Sequence, residues 1–103
     1  MPVKPTKSYK ESLLKRLQNA EEAAGYLDSA LEDGDRRVFL TALRDVAEAR
    51  LGGMAKLAKI TGLNRESLYK MLSEKGNPEI ESLEILLDAL GLRFSIELKK
   101  KAA

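Results

Sequence analysis

Apolar residues in this chain recur every three or four positions, the spacing that gathers them on one face of an α-helix. Leu13, Leu14 and Leu17 open the pattern, in a helix predicted to start near Ser8 or Tyr9. A second helix carries Ala23, Ala24, Leu27, Ala30 and Leu31 on one side. Asn19 stands where it can cap that helix, with Glu22 placed as its capping-box partner. Gly34 ends it, because glycine readily takes the left-handed conformation that closes a helix. Asp35 then caps a third helix running to about Leu51. Its Val38, Phe39, Ala42, Leu43, Val46, Ala47 and Leu51 make a wide core-facing stripe.

Gly52-Gly53 breaks the chain. A short helix from Met54 to Ile60, a turn at Thr61-Gly62-Leu63 and a helix from Asn64 to about Ser73 follow. Lys75-Gly76-Asn77-Pro78 reads as a loop. A last helix covers about Ile80 to Leu90, with Ile80, Leu83, Leu86, Leu87 and Leu90 expected inside, and Gly91 stops it. From Leu92 to Leu98 the pattern switches to strict alternation, a strand signature. A lone strand leaves its backbone groups unpaired, so pairing with its copy in a second chain is expected. The expected fold is all-α: a bundle of five to six helices with a short C-terminal β-strand that pairs across a dimer. Its parts are a lead-in at 1–8, an N-terminal helical extension at 9–34, a main domain with the C-terminal strand at 35–98 and a basic tail at 99–103.

The string from Gly52 to Leu72 carries the functional signal. Two short helices meeting at a steep angle need particular residue types at the turn. Leu57 packs the first onto the core, and Ala58 is small where the second crosses. Gly62 supplies the positive φ of the turn, Leu63 plugs it, and Asn64 caps the next helix. Thr61 stands where such a motif normally holds an aliphatic residue. With Leu68, Met71 and Leu72 turned inward, Arg65, Glu66, Ser67, Tyr69 and Lys70 face outward, on the part of a recognition helix that reaches base edges. Arg65 suits guanine, Glu66 suits cytosine, Ser67 and Tyr69 suit base or backbone, and Lys70 suits phosphate. The amides of Gly53, Met54 and Ala55 form an expected phosphate site, with Lys56 and Lys59 adding charge and Asn77 touching backbone. A plain helical hairpin inside a bundle is the alternative reading of the same spacing.

Composition narrows the chemistry. The chain has 103 residues, enough for one modest core, and is 44% apolar. It contains neither cysteine nor histidine, so disulfides, histidine general bases and an ordinary structural zinc site are not expected. No enzyme activity, cofactor or metal is expected. No apolar run approaches the roughly 18 residues of a membrane span. Met1 to Lys10 is polar and basic, unlike a secretory leader, and a cytoplasmic location is expected. Net charge is only +2, but its distribution is uneven. Residues 19–35 hold six acids and no base, whereas 53–77 hold five bases and two acids. Such segregation fits a polyanion on one face and a basic partner on another.

The pieces EEAAGYLDSALEDGD (21–35), RRVFLTALRDVAEARLGG (36–53), LAKITGLNRESLYKMLSEKGNP (57–78) and LEILLDALGLRFSIEL (83–98) together resemble the addiction module antidote family, within the Xre/Cro-like regulators. The resemblance implies a lambda-repressor-like helix-turn-helix fold and a type II toxin–antitoxin antitoxin similar to HigA-like proteins. Such proteins bind operator DNA as homodimers, repress their own operon and neutralise a small basic RelE/ParE-like toxin. By this resemblance the DNA face is Gly53 to Lys56 and Asn64 to Lys70. Met54 stands where related regulators often place a phosphate-contacting glutamine. The acidic stretch 19–35 suits a basic toxin, with Tyr26, Leu27 and Leu31 as apolar anchors. Two other functions remain open at this stage: a phage- or plasmid-type repressor without a toxin, and a helical protein-interaction adaptor.

Overall fold

The computed structural model describes residues 7–99, and in them the periodic stretches form six helices. These are α1 (Lys7–Leu17), α2 (Ala20–Glu32), α3 (Arg36–Leu51), α4 (Met54–Thr61), α5 (Arg65–Met71) and α6 (Ile80–Ala89). The chain is all-α, and the helix starts fall within a residue or two of the expected ones. Residues 1–6 of the lead-in and 100–103 of the tail lie outside the described residues.

Local chemistry sets the starts of three helices. Asn19 Oδ1 accepts from the Glu22 amide at 3.0 Å, Asp35 Oδ1 from the Arg37 amide at 2.9 Å and Asn64 Oδ1 from the Ser67 amide at 3.1 Å. Each bond satisfies an amide that the helix itself leaves without a partner.

The core is built on α3. Phe39, Leu40, Ala42, Leu43, Val46 and Ala47 are all buried. α1, α2 and α4 pack against this helix, while the backbones of α5 and α6 approach α4. Leu17 of α1, Leu27 of α2, Leu57 of α4, Leu68 of α5 and Leu86 of α6 complete the interior. Each such side chain contributes about 2 kcal/mol by leaving water.

Several expected core positions lie in solvent, and others, Leu51 and Leu83 among them, pack on the core from its edge. Ile80 is 70% exposed, and Leu31 and Val38 are exposed as well. Ala24 is exposed, and Leu14, Leu51 and Leu83 are half-buried. The apolar period marks a helix face but not how far along it the neighbours reach. Ile80 is the first residue of α6 and extends beyond its cover.

The segment from Leu92 to Leu98 forms no strand ladder with the described residues. The Leu92 amide bonds the Leu87 carbonyl at 2.8 Å, which closes α6. Beyond it the chain leaves Ile96 and Leu98 almost wholly in solvent. The alternation is present in the sequence, but no strand partner for it lies among the described residues.

Two polar ties lock the helices together. Arg50 of α3 donates from Nε to the Leu90 carbonyl at 3.0 Å and from Nη1 to the Gln18 carbonyl at 2.8 Å. One guanidinium thus serves the C-terminal ends of α1 and α6, where free carbonyls and the helix dipole favour a cation. Asp45 of α3 accepts from Lys10 Nζ of α1 at 3.1 Å and from the Tyr26 hydroxyl of α2 at 2.9 Å. Glu48 adds a second contact to Lys10 at 3.5 Å.

The Asp45 cluster has a pH signature. Burial, and then the bond to Asp45, push the Tyr26 phenol well above its ordinary range, with Tyr9 opposing its ionisation and Arg16 favouring it. The bond to Asp45 holds Lys10 protonated to higher pH than usual. In both cases the folded chain binds the proton more tightly than the unfolded chain. The stabilisation is therefore complete below about pH 10 and is lost as pH rises above it. Urea titrations from pH 8 to 12 are expected to show stability falling on the alkaline side. Tyr26→Phe is expected to cost about 1 kcal/mol at pH 8 and to flatten that decline.

Candidate nucleic-acid interface

α4 and α5 are joined by three residues, Gly62, Leu63 and Asn64. Gly62 has φ +75°, a left-handed conformation that glycine takes without penalty, and its amide bonds the Ala58 carbonyl at 2.9 Å. Thr61 proves to be part of the turn. Its hydroxyl donates to the Leu57 carbonyl at 2.8 Å and accepts from the Leu63 amide at 3.2 Å. An aliphatic side chain there would fill space but leave that amide unserved. Leu57, Leu68 and Leu72 are buried, and Ala58, Leu63 and Met71 are partly so.

This anchoring turns the first part of α5 outward. Asn64, Arg65, Glu66, Ser67, Tyr69 and Lys70 are all exposed. The Arg65 guanidinium lies over the Tyr69 ring, 5.7 Å from its centroid. That cation–π contact holds a long side chain in a preferred direction before anything binds. Asn64 Oδ1 is engaged as the cap of α5, which leaves its NH2 group free to donate outward.

At the start of α4, Ala55 and Lys56 are exposed, whereas Met54 packs against the core and Gly53 is half-buried. Gly53 has no side chain to cap the helix, so no side chain occupies the first amides of α4. Met54 offers an apolar side chain turned to the interior, so any phosphate contact there falls to backbone amides and Lys56. Asn77 is exposed and accepts from Arg36 Nη1 at 3.1 Å. Beside it Arg37 reaches Asp35 at 2.9 Å and Glu74 at 3.2 Å. The Asp35 carboxyl is held below its ordinary range by the bond from the Arg37 side chain, and then by that from the Arg37 amide. Arg36 and Arg37, a tandem directly after the Asp35 cap, were not singled out in the sequence and bring further exposed cations beside Asn77.

The expected toxin anchors differ in exposure. Leu27 is only 5% exposed, and the Tyr26 hydroxyl is committed to Asp45. Of the three, Leu31 alone presents a large apolar surface. Among the described residues no cluster of acidic side chains is arranged to hold a metal ion, and no helix is long and apolar enough to cross a membrane.

A family model described as "Probable addiction module antidote protein" matches residues 8–98. The chain belongs to this antidote family. It is also 36% identical over 86 residues to an uncharacterized protein of Haemophilus influenzae, an alignment covering 84% of this chain and 87% of the relative. No solved structure matches the chain. Membership of an antidote family implies a toxin partner of some kind.

Two glycines around α5 separate strain from clash. A Cβ at Gly62 meets open space but sits on an unfavourable φ, whereas a Cβ at Gly76 overlaps the Met71 carbonyl oxygen at the end of α5. Gly62→Ala is expected to cost about 1 kcal/mol. Gly76→Ala is expected to cost about 2 kcal/mol or more, because backbone must move. Paired urea denaturation curves check the order, and equal costs would contradict it.

Proposed function

We propose that this antidote is a sequence-specific DNA-binding antitoxin of a type II toxin–antitoxin module. In this reading α4 and α5 form a helix-turn-helix of the Xre/Cro type, within a lambda-repressor-like fold similar to HigA-like proteins. α5 lies in the major groove of operator DNA. The protein represses its own operon and neutralises a small basic RelE/ParE-like toxin, working in the cytoplasm and without enzyme activity of its own.

One observation carries the reading: a short capped helix whose exposed side, Asn64 to Lys70, holds only polar and hydrogen-bonding side chains, with Arg65 steadied by Tyr69. In such a helix Arg65 donates a bidentate pair to guanine, and Lys70, Lys56 and the amides from Gly53 to Ala55 hold phosphate. Glu66, Ser67, Tyr69, Asn64 and Asn77 complete the face, with Met54 supporting it from the core side. A homodimer formed by pairing the Leu92–Leu98 segments would cover the exposed Ile96 and Leu98. It would also match a two-fold operator with half-sites about one helical turn apart.

Fluorescence anisotropy with the chain's own promoter DNA tests this. Binding is expected to be tighter than to random DNA and to weaken steeply with salt. Arg65→Ala is expected to cost roughly 1–3 kcal/mol on the promoter site and to relax base preference. A flat salt response with no preference for the promoter defeats the DNA-binding reading. Separately, deletion of residues 92–103 is expected to convert dimer to monomer in light scattering. A dimer that survives the deletion removes strand pairing.

A further inference from the structure

Six of the seven glycines have a reason inside the chain. Five take positive φ, and Gly76 lies hard against the Met71 carbonyl. Gly25 has neither reason. It sits in the middle of α2, and a Cβ there meets nothing within 4 Å. A glycine inside a helix weakens it relative to alanine, so the missing side chain needs a use outside the chain.

Gly25 lines a groove of about 490 Å³ between α2 and the extended segment after α6. Ala24 and Gly25 keep its helical wall low, and Leu31 and Phe94 offer partly exposed apolar surface beside them. The rim carries Asp28 and Glu97 against Arg93. α2 as a whole holds four acids, Glu21, Glu22, Asp28 and Glu32, and no base. Among the described residues Asp28, Glu32 and Glu97 form no ion pair.

We propose that this groove is the seat for the partner toxin, which lays a basic segment across Gly25. The inference rests on the antitoxin reading and deepens it by naming the surface. A cationic segment finds carboxylates on the rim. A close approach of its backbone needs the low wall, and apolar side chains find Leu31 and Phe94. Of the expected anchors, Leu27 and Leu31 line this groove, whereas the Tyr26 hydroxyl is committed to Asp45.

The test uses the full-length chain and, as probe, the small protein encoded directly beside its gene, with affinity measured by calorimetry. Gly25→Gln is expected to raise the free chain's Tm by roughly 3 °C, because a better helix former replaces glycine. The same substitution is expected to weaken the toxin complex about tenfold or more by filling the wall. Asp28→Lys is expected to weaken it similarly and to reduce its salt dependence. Neither variant is expected to change promoter binding. If the wild-type chain binds the probe and both variants bind it equally well, the groove assignment is wrong while the antitoxin reading stands. If Gly25→Gln instead alters the mass of the free chain in light scattering, the groove belongs to a second copy and the assignment is wrong. If the wild-type chain does not bind the probe, the antitoxin reading falls and the groove falls with it.

Discussion

Helix α3 carries an apolar stripe too wide for one neighbour to cover, and most of the architecture follows from covering it. Phe39, Leu40, Ala42, Leu43, Val46 and Ala47 recur at the spacing of one broad helix face, and all are buried. α1, α2 and α4 share that task. α4 is only eight residues long, yet it is both a wall of the core and the helix that α5 and α6 approach most closely. The direction in which Arg65 and its neighbours point is thus set two steps away, by how α4 beds onto α3. The polar ties reinforce the same centre. Asp45 gathers α1 and α2, and Arg50 gathers the ends of α1 and α6, from successive turns of α3.

The sequence made the helices legible because their signals are local. Asn19, Asp35 and Asn64 stand as caps where side-chain chemistry alone would place them, and Gly52 and Gly62 close helices in the left-handed conformation. The outward set on α5 was legible for the same reason, since Leu68 and Leu72 fix which side is inside. Coverage was not legible. Ile80, Val38 and Leu31 fit the period and still face water, because periodicity holds no information about where a neighbouring helix ends. The ties of Arg50 and Asp45 span 19 to 40 residues of chain and leave no local pattern. The segment from Leu92 to Leu98 has strand alternation, but a ladder is a property of two strands.

Charge follows the same division of labour. The acids of α2 lie on a helix packed against α3, and the bases Lys56, Lys59, Arg65 and Lys70 lie on α4 and α5. At ordinary ionic strength a field fades over about 8 Å, so each charge acts mainly on what lies close to it. In the proposed function a polyanion meets the basic pair of helices and a cationic protein meets α2. The small net charge of +2 conceals both faces, which is why total charge was silent about partners and its order along the chain was not.

α5 has seven residues, too few to hold a helix by its own hydrogen bonds in water. Its integrity comes from the Asn64 cap, the burial of Leu68 and Leu72, and the Gly76 crossing at its far end. None of these uses the side chains of residues 65, 66, 67, 69 or 70. The side chains on the exposed side can therefore change without loosening the helix that presents them. A face built in this way separates the side chains it presents from those that keep it folded. Under the proposed function, substitutions at Arg65 and its neighbours read out as changes in binding, whereas substitutions at the turn read out as changes in stability.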